Sequence, residues 1–521
     1  MTTLKKNLNE FSGFALFLFL GILFSRIIEL FLFQTSQKLP VGFFELLYKG
    51  FIIDVLFWLS AIFPAYILFL IISFISLRGA KIVFNIIWVL FFSCNLLFIY
   101  YHKTALVLLG SDLFGYSLED ITQTVGASGV LALGTVLLFL GFVALIIAGL
   151  VFLRPKMSIN FIPAGALVLI AGIVFMFDSF PNLRPQYEQD FTNNLVTNKT
   201  QHFFKAAEDY LTQTTYKPDI YAENYFDLLE RRIAQQGKFE YTATAYPFLH
   251  KAETTDVLSP FFEKKSRKPN LVFIIVEGLG RAFTNEEAYL GNFTPFLDSL
   301  SKQSLYFKNF LSNGGRTFAV LPSLLGSAPF AENGFLELQD KMPNQLSLLN
   351  ILEKNGYQSS FFYGGDAGFD NMSGYLDLNK TARIFDEATF PQTFAKLPEV
   401  GGFTWGFGDE ELYEFYLDKS ADDTLAAPRL DVILTVSTHN PFRINDQERY
   451  NKLFENQLQR LNLSAEQQTQ RQNFKEEFAT VLYADASLRR LFERYRKRTD
   501  YDNTIFVITG DHRIPEIPLS T

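Results

Sequence analysis

Four apolar runs in the second half of the chain end in residues of the kinds that hold metal ions or phosphate. Asn270-Leu-Val-Phe-Ile-Ile-Val-Glu-Gly-Leu-Gly280 places six consecutive apolar residues before Glu277 and two glycines. Gly364-Gly365-Asp366 follows Phe361-Phe362-Tyr363, Ser437-Thr438-His439-Asn440 follows Ile433–Val436, and Gly510-Asp511-His512 follows Ile505–Thr509. Continuous apolar runs of this length read as strands buried on both faces. In open parallel sheets the carboxyl edge of the strands is where ligands bind. Taken alone, Glu277 reads equally well as a solvated residue after a core strand. If the four strands are parallel, Glu277, Asp366, His439, Asp511 and His512 converge on one edge, an arrangement poorly explained by chance.

A further segment, Ser312-Asn-Gly-Gly-Arg-Thr-Phe-Ala-Val-Leu-Pro-Ser-Leu-Leu325, runs from a Gly-Gly loop into an apolar helical pattern. Thr317 stands at the junction, where an N-cap is expected. Helix N-termini present free N–H groups to anions such as phosphate. A hydroxyl there can bind a metal, lose its proton and attack phosphorus. The plain alternative is a capping threonine. Pro322 is expected to bend the helix beyond its first turn.

These residues need a sheet to carry them. From Asn270 onward, short apolar runs alternate with helical patterns. Strands are expected at Leu305–Phe310, Gln358–Tyr363, Leu430–Val436 and Thr504–Thr509. Helices are expected at Thr294–Gln303, Gln345–Asn355, Glu410–Leu417 and Gln472–Arg496. The alternation implies an α/β fold with a mainly parallel sheet.

The N-terminal third has another composition. The chain has 521 residues, 49% of them hydrophobic, including 58 Phe, with the apolar excess at this end. Five stretches approach the roughly 20 apolar residues of a membrane span: Phe11–Phe33, Phe51–Leu77, Ile82–Tyr101, Val130–Leu153 and Ile159–Phe177. Lys5, Lys6, Arg78, Lys81, Arg154 and Lys156 fall on one side of them. The positive-inside rule then puts the N-terminus in the cytoplasm and residues after about 177 outside. Arg26, Glu29 and Asp54 lie within the first two spans, where Arg26 and Glu29 suit either a structural pair or a lipid-headgroup contact. The polar residues 178–269 read as a connector that lies along the soluble domain, with helical patterning at His202–Leu211 and Tyr225–Gln236. The expected organisation is a five-span membrane domain (1–177), an extracytoplasmic connector (178–269) and a catalytic domain (270–521). A net charge of −8 offers no broad surface for nucleic acid. A single cysteine, Cys94, builds no disulfide framework within one chain.

Taken together, these residues resemble the lipoteichoic acid synthase family of membrane phosphoglycerol transferases, within the alkaline phosphatase/sulfatase superfamily. The resemblance covers nearly the whole chain and implies a multi-pass helical membrane domain followed by a sulfatase-like α/β domain. It matches Glu277, Thr317, Asp511 and His512 to the family's metal ligands, with Thr317 as nucleophile. His439, in Thr438-His-Asn-Pro-Phe442, matches the substrate-binding histidine, and Asp366, Asp370 and Asn371 are expected to line the headgroup pocket. Trp405-Gly and Asp409-Glu410 resemble a further family segment. The implied cofactor is one divalent cation, Mn²⁺ or Mg²⁺, with Zn²⁺ as the alternative. The implied partners are a phospholipid donor and a polymer or glycan acceptor at the bacterial plasma membrane. Two departures shape the expectation. Phe369-Asp370-Asn371-Met372 stands where the family has Phe-Trp-Asn-Arg, so poorer use of glycerol phosphate is expected. The chain also stops nine residues after His512, where the superfamily continues, so it is expected to be truncated. A phosphoethanolamine transferase or phosphodiesterase of the same superfamily is the second enzymatic reading. An inactive lipid- or glycan-binding membrane protein is the non-enzymatic one. A formylglycine sulfatase is excluded, because no Cys/Ser-x-Pro-x-Arg run occurs.

Overall fold

The computed structural model describes the chain except residues 1, 37–38, 40, 106–107, 115–120, 123–124, 126–132, 178–186, 188–189, 213–248, 252–254, 264, 286, 329–341, 343–344, 401, 422–426, 515 and 518–521. The helical pattern expected at Tyr225–Gln236 lies outside the described residues. Two compact units result, one built mainly from Met1–Phe114 and Val130–Thr215, the other mainly from Tyr216–Ile517.

In the first unit, α1 (Thr2–Ser36), α2 (Phe43–Ile75), α3 (Leu77–Ala105) and the helical stretch Gly134–Met157 are long and apolar enough to cross a membrane. The fifth apolar stretch forms a helix of 16 residues, Phe161–Met176. At 1.5 Å per residue that is about 24 Å, against a hydrocarbon core of about 30 Å. The abundant Phe residues pack these helices together. Phe11, Phe14, Phe69 and Phe84 meet with ring centroids 5.1–6.1 Å apart. Inside lipid, such van der Waals fit replaces the hydrophobic drive that operates in water.

The charges within the spans are buried and paired. The Arg26 guanidinium donates to both Asp54 carboxylate oxygens at 2.9 Å and to Glu29 at 3.1 Å. It also donates to the Val196 and Thr197 carbonyls at 3.1 and 3.2 Å. Those carbonyls lie at the end of the short helix Asp190–Val196 and just past it, and the next helix, Lys199–Thr212, supplies Lys199. Lys199 pairs with Glu29 and donates to the Asn194 and Thr197 carbonyls at 2.7 and 3.0 Å. His102 Nδ1 lies 3.2 Å from Glu29, and Asn198 donates to Asp54 at 2.8 Å. Arg26 and Glu29 thus form a structural pair, within a larger network. Residues 190–212 of the expected connector belong to the membrane unit.

Replacing Arg26 by alanine leaves the Asp54 and Glu29 carboxylates buried beside one remaining cation. Breaking a buried pair in this way costs roughly 3–5 kcal/mol. The unfolding midpoint of the detergent-solubilised chain is expected to fall accordingly. An unchanged midpoint would show that the network contributes nothing to stability.

The second unit is organised by five parallel strands: β1 (Asn270–Val276), β2 (Gln358–Tyr363), β3 (Arg383–Phe385), β4 (Arg429–Leu434) and β5 (Thr504–Gly510), in the order β3-β2-β4-β1-β5. Ile275 is in register with Leu434 on one side and Thr509 on the other. Side chains alternate between two cores. Ile275, Val432 and Leu434 pack with Leu321, Leu349, Tyr375 and Phe454, while Val272, Ile274, Val276 and Ile433 pack with Leu412, Tyr416, Leu488 and Phe492. Helices on both faces are what a parallel sheet requires.

Two strand assignments differ from the sequence expectation. Leu305–Phe310 is not a strand. Leu305, Phe307 and Phe310 are exposed, and the run joins no ladder among the described residues. Apolar content alone made it look like one. Conversely, β3 is a three-residue edge strand, too short to show a periodicity.

Candidate active site

β1 and β5 end side by side, with Val276 opposite Gly510. That register delivers Glu277 beside Asp511 and His512. The loop 312–316 brings Thr317 over them. Thr317 is not the expected N-cap. Arg316 holds that position, and Thr317 begins a single 3₁₀ turn, Thr317–Ala319, followed by the seven-residue helix Val320–Gly326. Pro322 sits within the first turn of that helix, so the break falls before it, at the 3₁₀ junction. So short a helix supplies little dipole, and the charge of a bound phosphate must be met elsewhere.

The Thr317 hydroxyl donates to Glu277 Oε2 at 2.9 Å and lies 3.2 Å from His512 Nε2. His512 Nε2 is 3.5 Å from Glu277 Oε1 and 3.3 Å from Asp511 Oδ2. Its other nitrogen, Nδ1, lies 2.7 Å from the Arg513 carbonyl. A carbonyl can only accept, so the neutral ring carries its proton at Nδ1 and turns the Nε2 lone pair toward the carboxylates. Asp511 Oδ1 accepts from the Gly278 and His512 N–H groups at 2.9 and 2.6 Å. Asp511 Oδ2 is buried with no hydrogen-bond donor among the described residues. Thr438 donates its hydroxyl to the Glu277 carbonyl and so ties the end of β4 to the end of β1.

Glu277, Asp511 and His512 thus aim acceptor atoms at one another within 4.8 Å, and the one hydroxyl proton present is already given to Glu277. Burial, and then the Asp511 carboxylate, push the Glu277 carboxyl well above the ordinary range. A mutually repelling set of two carboxylates, an imidazole lone pair and a hydroxyl oxygen fits one divalent cation. The histidine's second nitrogen is already fixed by a carbonyl, as at metal-ligating histidines.

The other sequence candidates stand around this cluster rather than in it. The Asp366 carboxylate accepts from the Gly368 N–H at 2.8 Å. Asp370 and Asn371 both adopt left-handed φ, +53° and +56°, on the turn Phe369–Asn371. Phe369 meets Trp405 at 5.5 Å between ring centroids, and Trp405 meets His439 at 4.2 Å. This contact is possible because the backbones cross closely. Phe407 donates its N–H to the Gly364 carbonyl at 2.8 Å, and a Cβ at Gly364 would overlap the Phe407 carbonyl. Asp409 is fully buried. Its carboxylate accepts from the Ser437 N–H at 3.1 Å, which steadies the turn that carries His439.

Tyr363 is a residue that sequence reasoning missed. It is the last residue of β2 and is buried. Burial, and the carboxylates of Glu277, Asp370, Asp366 and Asp511 around it, raise its hydroxyl well above the usual range. The signal was present, since Tyr363 ends the strand that leads to Gly364-Gly365-Asp366.

Residues 269–515, a little under half of the chain, match the sulfatase family model, and this sulfatase-like stretch carries the parallel sheet. Among curated relatives, the chain is 24% identical over 256 residues to the lipoteichoic acid synthase-like YvgJ of Bacillus subtilis, covering 47% of this chain and 36% of that one. It is 23% identical over 256 residues to phosphoglycerol transferase I of Escherichia fergusonii, covering 47% and 31%. The matched stretch spans about a third of the length of these relatives. Among solved structures, it is similar to an alkaline phosphatase superfamily protein from Vibrio parahaemolyticus (23% identity, TM-score 0.41, 55% of this chain and 62% of that one). It is also similar to the lipoteichoic acid synthase LtaP of Listeria monocytogenes (21% identity, TM-score 0.39, 47% and 56%).

Proposed function

We propose that this chain is a membrane-bound, metal-dependent transferase that moves a phosphoglycerol-type headgroup from a phospholipid to an extracytoplasmic polymer or glycan through a phosphothreonine intermediate. The observation that carries the reading is the position of Thr317. An alcohol lies 2.9 Å from Glu277 and 3.2 Å from His512, inside a set of acceptors that otherwise repel each other. Among the curated relatives, phosphoglycerol transferase I carries a transferase name of this type.

Glu277, Thr317, Asp511 and His512 would hold one divalent cation, which when bound would supply Lewis acidity to lower the hydroxyl pKa and neutralise charge on the phosphate. Oxygen-rich ligation suits Mn²⁺ or Mg²⁺, and Zn²⁺ is the alternative. Glu277 holds the Thr317 proton at Oε2 and aligns Oγ1. Thr317 Oγ1 bonds to phosphorus as its proton passes to Glu277 Oε2, the bond from phosphorus to the diacylglycerol oxygen breaks, and that oxygen takes up a proton from water. The headgroup phosphate is then esterified to Thr317. An acceptor hydroxyl then attacks the same phosphorus in a second in-line displacement and loses its proton to water, while the phosphorus–Oγ1 bond breaks and Oγ1 takes back the proton held by Glu277, a ping-pong transfer. Asp366, Asp370, Asn371 and His439 line the headgroup side.

The membrane arrangement belongs to the same reading, with spans in residues 1–177, a connector over 178–269 and the catalytic domain from 270. A topology reporter fused after Asn270 is expected to be active only outside the cytoplasm, given the charges at Arg78, Lys81, Arg154 and Lys156. Activity of the cytoplasmic form of the reporter would reverse this orientation.

The acceptor-only residues Asp366 and Asp370 favour a second headgroup class, cationic or polyhydroxylated, including phosphoethanolamine. Purified protein with mixed-lipid vesicles is expected to release a headgroup phosphate, read by mass spectrometry, with phosphatidylglycerol as a poorer donor than in the founding family. Efficient turnover of phosphatidylglycerol with no preference over other lipids would refute the headgroup assignment.

A further inference from the structure

The Asn440 carbonyl receives two contacts at once. The Trp405 indole N–H donates to it at 2.6 Å, and His439 Nδ1 lies 3.1 Å away. The two rings pack on each other at 4.2 Å between centroids. Trp405 is buried, with Phe369 and Phe403 set edge-on against it. A carbonyl oxygen has two lone pairs and no proton to give. The indole occupies one and fixes the direction of the other.

We infer that Trp405 is a positioning residue: through the Asn440 carbonyl it locks His439 with its proton on Nδ1, so that Nε2 meets the substrate as a hydrogen-bond acceptor and not as an acid. The inference rests on the transferase reading above. His439 stands on the turn after β4, next to Thr438, which donates to the Glu277 carbonyl. The titratable groups that act on it are Asp511 and His512 from the end of β5, and Arg443, beyond Pro441, lines the same pocket. Burial, only partly offset by the Asn440 carbonyl, lowers the His439 pKa to about 4, so the ring is neutral at neutral pH. A neutral ring with Nδ1–H held by a carbonyl has no second proton for a leaving oxygen.

The consequence is a rule for the headgroup. Nε2 accepts, so the headgroup must bring an O–H or N–H donor to it. Glycerol, ethanolamine and its mono- and dimethyl forms, when protonated, satisfy this. The quaternary ammonium of choline carries no donor. A site built to bond a donor rejects the analogue that lacks it far more strongly than a missing methylene would be rejected.

Two measurements on the full chain in detergent test this. The first is ¹⁵N NMR of the five histidines, labelled in the ring and assigned by a His439→Ala control. At pH 7 His439 is expected to show a protonated Nδ1 and a bare Nε2, and Trp405→Phe is expected to give a mixture of tautomers. A protonated Nε2 in the wild type overturns the inference, as does an unchanged spectrum in a folded Trp405→Phe protein. The second is headgroup release from vesicles of phosphatidylethanolamine, its N,N-dimethyl form and phosphatidylcholine. A loss of roughly 10⁴-fold is expected at the last methylation alone, shrinking about tenfold in Trp405→Phe. A smooth decline along the series, or choline lipid used as well as the dimethyl form, overturns it. No release from any lipid, phosphatidylglycerol included, overturns the transferase reading, while the NMR result still decides the tautomer.

Discussion

Replacing Thr317 by alanine is expected to lower headgroup transfer by roughly 10⁴-fold or more, because binding alone does not replace lost nucleophilic chemistry. Among the described residues the hydroxyl meets the Glu277 and His512 side chains rather than the backbone, so its removal leaves the local fold in place. A serine at this position keeps an alcohol and is expected to restore part of the activity. Wild-type protein incubated with lipid and no acceptor is expected to carry a phosphate-containing adduct on the peptide that includes Thr317. Near-normal transfer by the alanine variant, or an adduct on another residue, would end the phosphothreonine mechanism.

The second large effect concerns the cation. Glu277→Ala and Asp511→Ala are each expected to reduce bound divalent metal by roughly 100-fold or more, and activity with it, since a small site rarely tolerates loss of a carboxylate. Asp511→Asn is the sharper test. The amide oxygen of the replacement would still accept from the Gly278 and His512 N–H groups, while its NH₂ group would face His512 Nε2 and satisfy it as a donor. The fold is therefore expected to survive and the ion to be lost. Full metal content, by elemental analysis, in either folded Asp511 variant would remove that residue from the ligand set.

Much of this site is legible in the order of the residues. Runs such as Leu271–Val276 and Ile505–Thr509 are mostly β-branched, unbroken and closely followed by glycine, which a doubly covered strand explains. Once those strands are parallel, polar residues just past their ends must share an edge, and Glu277, Asp511 and His512 do. What sequence could not supply was anything set by contacts between distant residues. Leu305–Phe310 has strand-like composition, and only its exposed side chains show that nothing pairs with it. The 3₁₀ turn at Thr317 has the same local pattern as an α-helix start. Trp405 and His439 are separated by 34 positions and share a carbonyl that neither motif announces. Arg26, Glu29 and Asp54 were visible as costly residues, but their partner Lys199 lies about 170 positions from Arg26, and no spacing rule reaches that far.

That separation bears on how the protein is made. Arg26 contributes one positive charge to the network, and Glu29 and Asp54 contribute two negative ones. The balancing cation, Lys199, and the carbonyls of residues 195–197 are synthesised only after every span. A chain arrested at residue 180 therefore holds an unmatched carboxylate among its helices. The bundle cannot reach its final packing while it emerges helix by helix. Its assembly waits for a segment beyond the last span to fold back onto it, which makes residues 190–199 the closing step of biogenesis.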